Sequence, residues 1–178
     1  LVRQLRETVF GREHHFSRVD SPEAYRKHVP MRDYEGFRPY IDRILEGEKK
    51  VLTREDPFMF TTTSGTTDRP KLVPVTASWR DELRHLVKVW LYRTMRDHPG
   101  VLRDGIVSLV SPAVEGHTER GVPIGSVSGM TYQKVPWYIR NTYVVPYGAM
   151  TIDDYDLRYF LATRYALSRR ASLCIAPN

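Results

Sequence analysis

The sequence predicts an α/β fold, with a mainly parallel sheet flanked by helices. Two observations carry that reading. Segments with apolar residues at helical spacing alternate along the chain with short apolar runs. The longest helical pattern also stands between two such runs, around residues 71–75 and 106–110. In sheets of this class ligands bind outside the carboxyl ends of the strands. The loops after Val110 and Ala176 are therefore natural walls for a site.

Residues 1–10 read as the end of a helix, with Leu1, Leu5 and Val9 at roughly helical spacing. Ser21-Pro22-Glu23 is a helix start, with Ser as N-cap, Pro at the first helical position and an acid in the first turn. That helix stops before Pro30. A second runs over about residues 38–46, carries Ile41, Ile44 and Leu45 on one face, and is ended by Gly47. Phe58 to Thr62 reads as a strand, with Lys71 to Val75 as its partner and a Thr/Ser/Gly loop between them. The strongest helix spans Ala77 to Asp97, where Leu83, Leu86, Val87, Trp90, Leu91, Thr94 and Met95 recur at intervals of three and four. Residues 106–110 form a compact apolar strand, and the stretch from Ser111 to Pro146 is loop-rich. Asp153 or Asp154 caps a last helix through about Ser168, with Leu157, Phe160, Leu161 and Tyr165 facing inward.

Composition narrows the function classes. No apolar run approaches the length of a membrane span, and no signal peptide opens the chain. A single cysteine excludes an intramolecular disulfide and suits a reducing cytoplasm. Cys174 lies in an apolar strand and reads as buried packing. The net charge is +6, from 27 basic and 21 acidic residues interleaved along the helices. This favours small anionic ligands such as ATP over a nucleic-acid footprint. His14-His15 points in two directions and has no spaced Cys, His or carboxylate beside it, so no metal site is expected. The chain starts at Leu1 and ends in a strand entering its loop, which reads as a fragment that would not turn over alone.

The chemistry concentrates in Thr61-Thr62-Thr63-Ser64-Gly65-Thr66-Thr67-Asp68-Arg69-Pro70-Lys71. A phosphate tail needs converging hydrogen-bond donors and a cation. A tight loop around Gly65 can turn several backbone N–H groups inward and lets phosphate approach closely. Ser64, Thr66 and Thr67 add hydroxyl donors, and Lys71 adds a mobile positive charge. The spacing is not that of a Walker loop, and no serine stands in the G-x-S-x-G register of a hydrolase.

Residues Thr63 to Lys71 resemble the T-S-G-[ST]-T-x-x-P-K signature of the adenylate-forming superfamily, with Asp68 where many members carry Gly. Upstream, Val29-Pro30, Tyr34-Glu35-Gly36-Phe37, Pro39-Tyr40-Ile41, Arg43-Ile44 and Gly47-Glu48 resemble a block of the Gretchen Hagen acyl acid amido synthetases, the auxin-responsive promoter family. Gly121-Val122-Pro123-Ile124-Gly125 and Ser128-Gly129 resemble the loop after that family's next strand. The resemblance implies part of a large N-terminal domain that binds nucleotide and acyl substrate, with a C-terminal domain beyond this chain. It implies a carboxylate attacking the α-phosphate of ATP to give an acyl-adenylate, which an amine then converts to an amide. Thr63, Ser64, Gly65, Thr66, Thr67 and Lys71 would hold the phosphates, with Mg²⁺ on them and Lys71 as the catalytic residue. Small carboxylic acids and amines or amino acids would be the partners. Leu91 and Tyr92 on the long helix, with Ser111 and His117 after the next strand, would line the acyl pocket. Two alternatives stay open from the residues themselves: a ligase passing the acyl group to a thiol, and a non-catalytic nucleotide-binding module.

Overall fold

The computed structural model describes residues 1–63 and 71–176, and the chain divides into two compact units. The first comprises Leu1–Ser78 with His117–Pro123, the second Trp79–Gly116 with Ile124–Asn178. The α/β class holds. The strands form two sheets, one of four strands that includes an antiparallel pair and one of two parallel strands.

The first unit opens on two short helices, α1 (Val2–Leu5) and α2 (Val9–Glu13), where apolar spacing suggested one. Thr8 is the reason. Its hydroxyl donates to the Leu5 carbonyl at 2.7 Å and accepts from Gly11 N at 3.0 Å, so a cap interrupts the apolar spacing. A 3₁₀ turn at Phe16–Arg18 precedes α3 (Pro22–His28), which Ser21 caps by accepting from Ala24 N. α4 (Tyr34–Leu45) begins well before residue 38, because Asp33 accepts from Gly36 N and Pro39 is carried inside the helix. Proline there forfeits a ladder bond, while the 2.6 Å pair between Glu35 and Arg38 braces the first turn. Gly47 ends α4 at φ +93°, and the Arg120 guanidinium fills the space a Cβ would occupy, donating to the Glu46 carbonyl at 3.1 Å.

The core of this unit is aromatic. Phe10 stacks on His14 at 4.0 Å and meets Phe16 and Tyr40 edge-on at 5.8 and 5.2 Å. Arg32 places its guanidinium 5.5, 5.6 and 5.9 Å from the rings of Phe10, Phe37 and Tyr40. It also donates to His14 Nε2 at 2.7 Å, which leaves His14 Nδ1–H to donate to the Phe10 carbonyl at 2.8 Å. Tyr40 donates to Glu13, and burial together with that bond raises its pKa.

Strands β1 (Met59–Thr63) and β2 (Lys71–Val75) pair antiparallel, from Met59↔Val75 to Thr63↔Lys71. A connection this short cannot return a strand in parallel, which takes a dozen residues or more. The mainly parallel expectation is thus met only in part, by the parallel strand pair of the second unit. With β4 (Gly116–His117) and β5 (Pro123–Ile124), the sheet order is β2-β1-β5-β4, so β2 is an edge. Pro74 lies in that edge opposite Phe60, a position proline tolerates when its nitrogen faces outward.

The second unit carries most of α5 (Ala77–Asp97), then β3 (Gly105–Ser108), α6 (Val127–Gln133), α7 (Trp137–Arg140), α8 (Tyr147–Met150), α9 (Tyr155–Ser168) and β6 (Ala171–Ile175). β3 and β6 are parallel, and Ile106 makes a further parallel bridge to Tyr143. Val107, Val110, Tyr132, Val144, Val145, Ala149, Met150 and Ala162 form the core. Tyr132 donates to the Val145 carbonyl at 2.9 Å, and Tyr147 accepts from Ala113 N at 2.7 Å, so both phenols have partners within the fold. Burial raises the pKa of Tyr132 and Tyr143, which stack at 4.6 Å.

Expectations for Cys174 and for part of α9 fail in this unit, and α5 is open. No residue of α5 is buried; Leu86 is 64% exposed, with Val87 and Trp90 also open. Among the residues expected to face inward on α9, Leu161 packs against the core, with Ala162 and Ala166 beside it, whereas Leu157, Phe160 and Tyr165 are exposed. Cys174 is exposed on β6. Apolar periodicity marks a face suited to burial, and among the described residues much of those two faces stays open.

The first turn of α6 lies directly on the backbone of residues 111–113. A Cβ at Gly129 would stand 2.2 Å from the Ser111 carbonyl oxygen and 2.6 Å from Ala113 N, whereas one at Gly116 meets nothing within 4 Å. Gly129→Ala should therefore cost about 1–3 kcal/mol by overpacking, and Gly116→Ala less than about 0.5 kcal/mol. Urea unfolding of the two variants side by side checks this; equal midpoints would refute the close approach.

Candidate functional site

Thr63 and Lys71 are the last pair of the β1–β2 hairpin, so their side chains rise from one face of it. They form the neck of the Thr/Ser/Gly loop. Ser64, Gly65, Thr66 and Thr67 fall within residues 64–70, which lie outside the described residues. Thr63 is exposed and Lys71 half-buried. A hydroxyl donor and an ammonium set side by side are the donor set an anionic phosphate requires.

Both sides of the neck are anchored. On the β1 side, Met59 and Phe60 are buried and fix the strand root. On the β2 side, Tyr34 from the first turn of α4 gives its hydroxyl to the Leu72 carbonyl at 2.9 Å and accepts from Leu72 N at 2.7 Å. One oxygen thus serves both backbone groups of an edge residue, as a neighbouring strand would. The Lys71 ammonium lies 5.8 Å from the centre of the same ring, and the Arg38 guanidinium 5.1 Å. Further along, Glu55 accepts from Ser78 N at 3.0 Å and also bonds the Ser78 hydroxyl, placing a carboxylate at the start of α5.

Tyr34 is the residue that sequence reasoning missed. It stood in the family-like block, yet nothing in its local pattern ties it to a strand 38 positions away. The only local signal is Asp33, whose capping places Tyr34 at the first position of the helix.

The residues expected to line an acyl pocket fall in both units. Leu91 is half-buried and Tyr92 67% exposed on α5, and Ser111 is exposed beyond β3, all in the second unit. His117 is exposed on β4 and belongs to the first unit. Within the first unit, a concavity of about 170 Å³ is lined by residues that include Gly47, Asp56, Phe60 and Arg120. That is below the roughly 300–1,000 Å³ of small-molecule sites, and it includes none of the expected acyl residues.

Indole-3-acetic acid-amido synthetase GH3.15 of Arabidopsis thaliana is 44% identical over 56 residues, which are 30% of this chain and 9% of that protein. A solved GH3.15 acyl acid amido synthetase superposes at a TM-score of 0.73 and 21% identity, over 92% of this chain and 29% of that one. AtGH3.15 acyl acid amido synthetase in complex with 2,4-DB gives 0.55 at 23% identity, over 69% and 21%. At these identities the structural likeness establishes the fold. The chain spans less than a third of the length of these relatives. The GH3 family N-terminal domain matches over residues 1–178, the whole of the sequence, and the chain belongs to the GH3 family.

Proposed function

We propose that this chain serves ATP-dependent adenylation of a carboxylic acid followed by amide formation with an amine or amino acid. In the first step a carboxylate oxygen bonds to the α-phosphorus and pyrophosphate leaves. In the second, the amine nitrogen attacks the acyl carbon and AMP leaves. The observation that carries this reading is the pairing of Thr63 with Lys71 at the neck of a T-S-G-T-T loop. It stands in a chain of the GH3 family, whose matched relatives are described as amido synthetases.

Thr63, Ser64, Gly65, Thr66, Thr67 and Lys71 would hold the ATP phosphates, and Mg²⁺ bound with the nucleotide would help neutralise their charge. Lys71 neutralises charge on the departing pyrophosphate. That interaction strengthens as the bond to the α-phosphorus breaks, and only such a differential effect speeds the chemical step. The acid lies against α5 and the loop beyond β3, with Leu91, Tyr92 and Ser111 of the second unit as its wall. The reaction takes place in the cytoplasm, where a single cysteine is unproblematic.

Lys71→Ala in the full-length protein should reduce ATP–pyrophosphate exchange by about 10²–10³-fold, roughly 3–4 kcal/mol of transition-state stabilisation. Thermal unfolding should change little, because Lys71 is only half-buried. Exchange within about threefold of wild type in a folded variant, under about 0.7 kcal/mol, would remove Lys71 from the reaction. Release of AMP should depend on an amine; dependence on CoA instead would assign the chain to thiol ligation.

Leu91→Arg tests the acyl wall. It should raise the KM for the acid about tenfold or more, by placing a charge where an apolar group docks, and leave the KM for ATP unchanged. Unchanged selectivity across a panel of acids would reduce that face of α5 to a packing surface.

A further inference from the structure

Tyr34 stands outside the donor set proposed for the phosphates, yet it touches the strand on which that set depends. Its hydroxyl holds both backbone groups of Leu72, at 2.7 and 2.9 Å, and its ring lies 5.8 Å from the Lys71 ammonium. The two contacts fix different things. The hydroxyl sets where β2 begins, and so where the Lys71 side chain is rooted. The ring face gives the ammonium a preferred seat through attraction to the π cloud. Tyr34 is itself fixed, because Asp33 caps α4 at the residue before it and Arg38, paired with Glu35, covers its ring at 5.1 Å.

We infer that Tyr34 is a positioning residue for Lys71: it anchors the root of the lysine through Leu72 and orients the ammonium over its ring. This inference rests on the assignment of Lys71 to the ATP phosphates. A neutral hydroxyl gripping an edge strand is also a plain structural device, so the test has to separate positioning from support.

Two measurements do so in the full-length protein. The first needs no turnover. In the nucleotide-free protein the ε-methylene protons of Lys71 should show an upfield ring-current shift by NMR. That shift should persist in Tyr34→Phe and vanish in Tyr34→Leu. The second is a double-mutant cycle with Lys71→Ala, read by ATP–pyrophosphate exchange. Tyr34→Leu should lower exchange about tenfold in the wild-type background and have no further effect once Lys71 is gone. The KM for the acid should stay constant, since the loss lies in the adenylation step. If Tyr34→Leu does not fold, Tyr34→Phe carries the cycle alone, with a loss of about threefold from the released strand root, again absent in the Lys71→Ala background.

An equal loss in both backgrounds would mean that Tyr34 only supports the fold. An unmoved Lys71 resonance in Tyr34→Leu, or full exchange activity in that variant, would likewise overturn the inference. Failure of the proposed function looks different: Lys71→Ala alone would then leave exchange intact, and both readings would fall together.

Discussion

A helix and a strand with no sequence proximity meet at one oxygen in this molecule. Tyr34 offers its hydroxyl to both the N–H and the carbonyl of Leu72, so α4 and the edge of the hairpin hold a fixed relation. Much else follows from that. With the backbone groups of Leu72 turned away from β1, those of Lys71 and Val73 are turned toward it, and the pairing Thr63↔Lys71 closes the neck. The residues proposed to meet phosphate are thereby mounted on a braced frame. A bare hairpin, only marginally stable in water, would not provide one.

α4 can serve as that frame because its own underside is locked. Arg32 enters an aromatic box of Phe10, Phe37 and Tyr40 and donates to His14. A guanidinium is weakly hydrated for a cation and stacks well on rings, so it tolerates such a setting better than lysine would. His14 uses both ring nitrogens inside the protein, one accepting from Arg32 and the other donating to Phe10. That accounts for His14 of the His14-His15 pair as an element of packing.

Where local chemistry decides, the fold was legible in the sequence. Ser21 and Asp154 cap the helices they were expected to cap, and the long helix runs over Ala77–Asp97 as its apolar spacing indicated. The hairpin strands, too, flank the Thr/Ser/Gly loop as expected. Illegible features were those set by distant partners. Thr8 split a helix because its hydroxyl found Leu5 and Gly11, and Pro39 masked the true start of α4 at Asp33. Periodicity on α5 and α9 could not say what lies against the apolar residues: those of α5 are largely open, and α9 packs through a stripe of Leu161, Ala162 and Ala166. The candidate site divides in the same way. The pairing of Thr63 with Lys71 was readable from the flanking strands, whereas Tyr34 has a generic helix-start context and its contact with Leu72 is visible only in the fold.

Pro74 gives the hairpin edge a further property. Leu72 and Pro74 are the residues of β2 whose backbone groups face away from β1. Leu72 is occupied by Tyr34, and proline has no N–H to give. Among the described residues of β2, a second polypeptide approaching this edge would find the Pro74 carbonyl as the outward group left. Exposed strand edges are templates for intermolecular β-pairing, and natural proteins block them with proline and with covering side chains. Here the block sits beside the strand that begins with Lys71. The outer edge of β2 is therefore a poor template for a strand from a second copy.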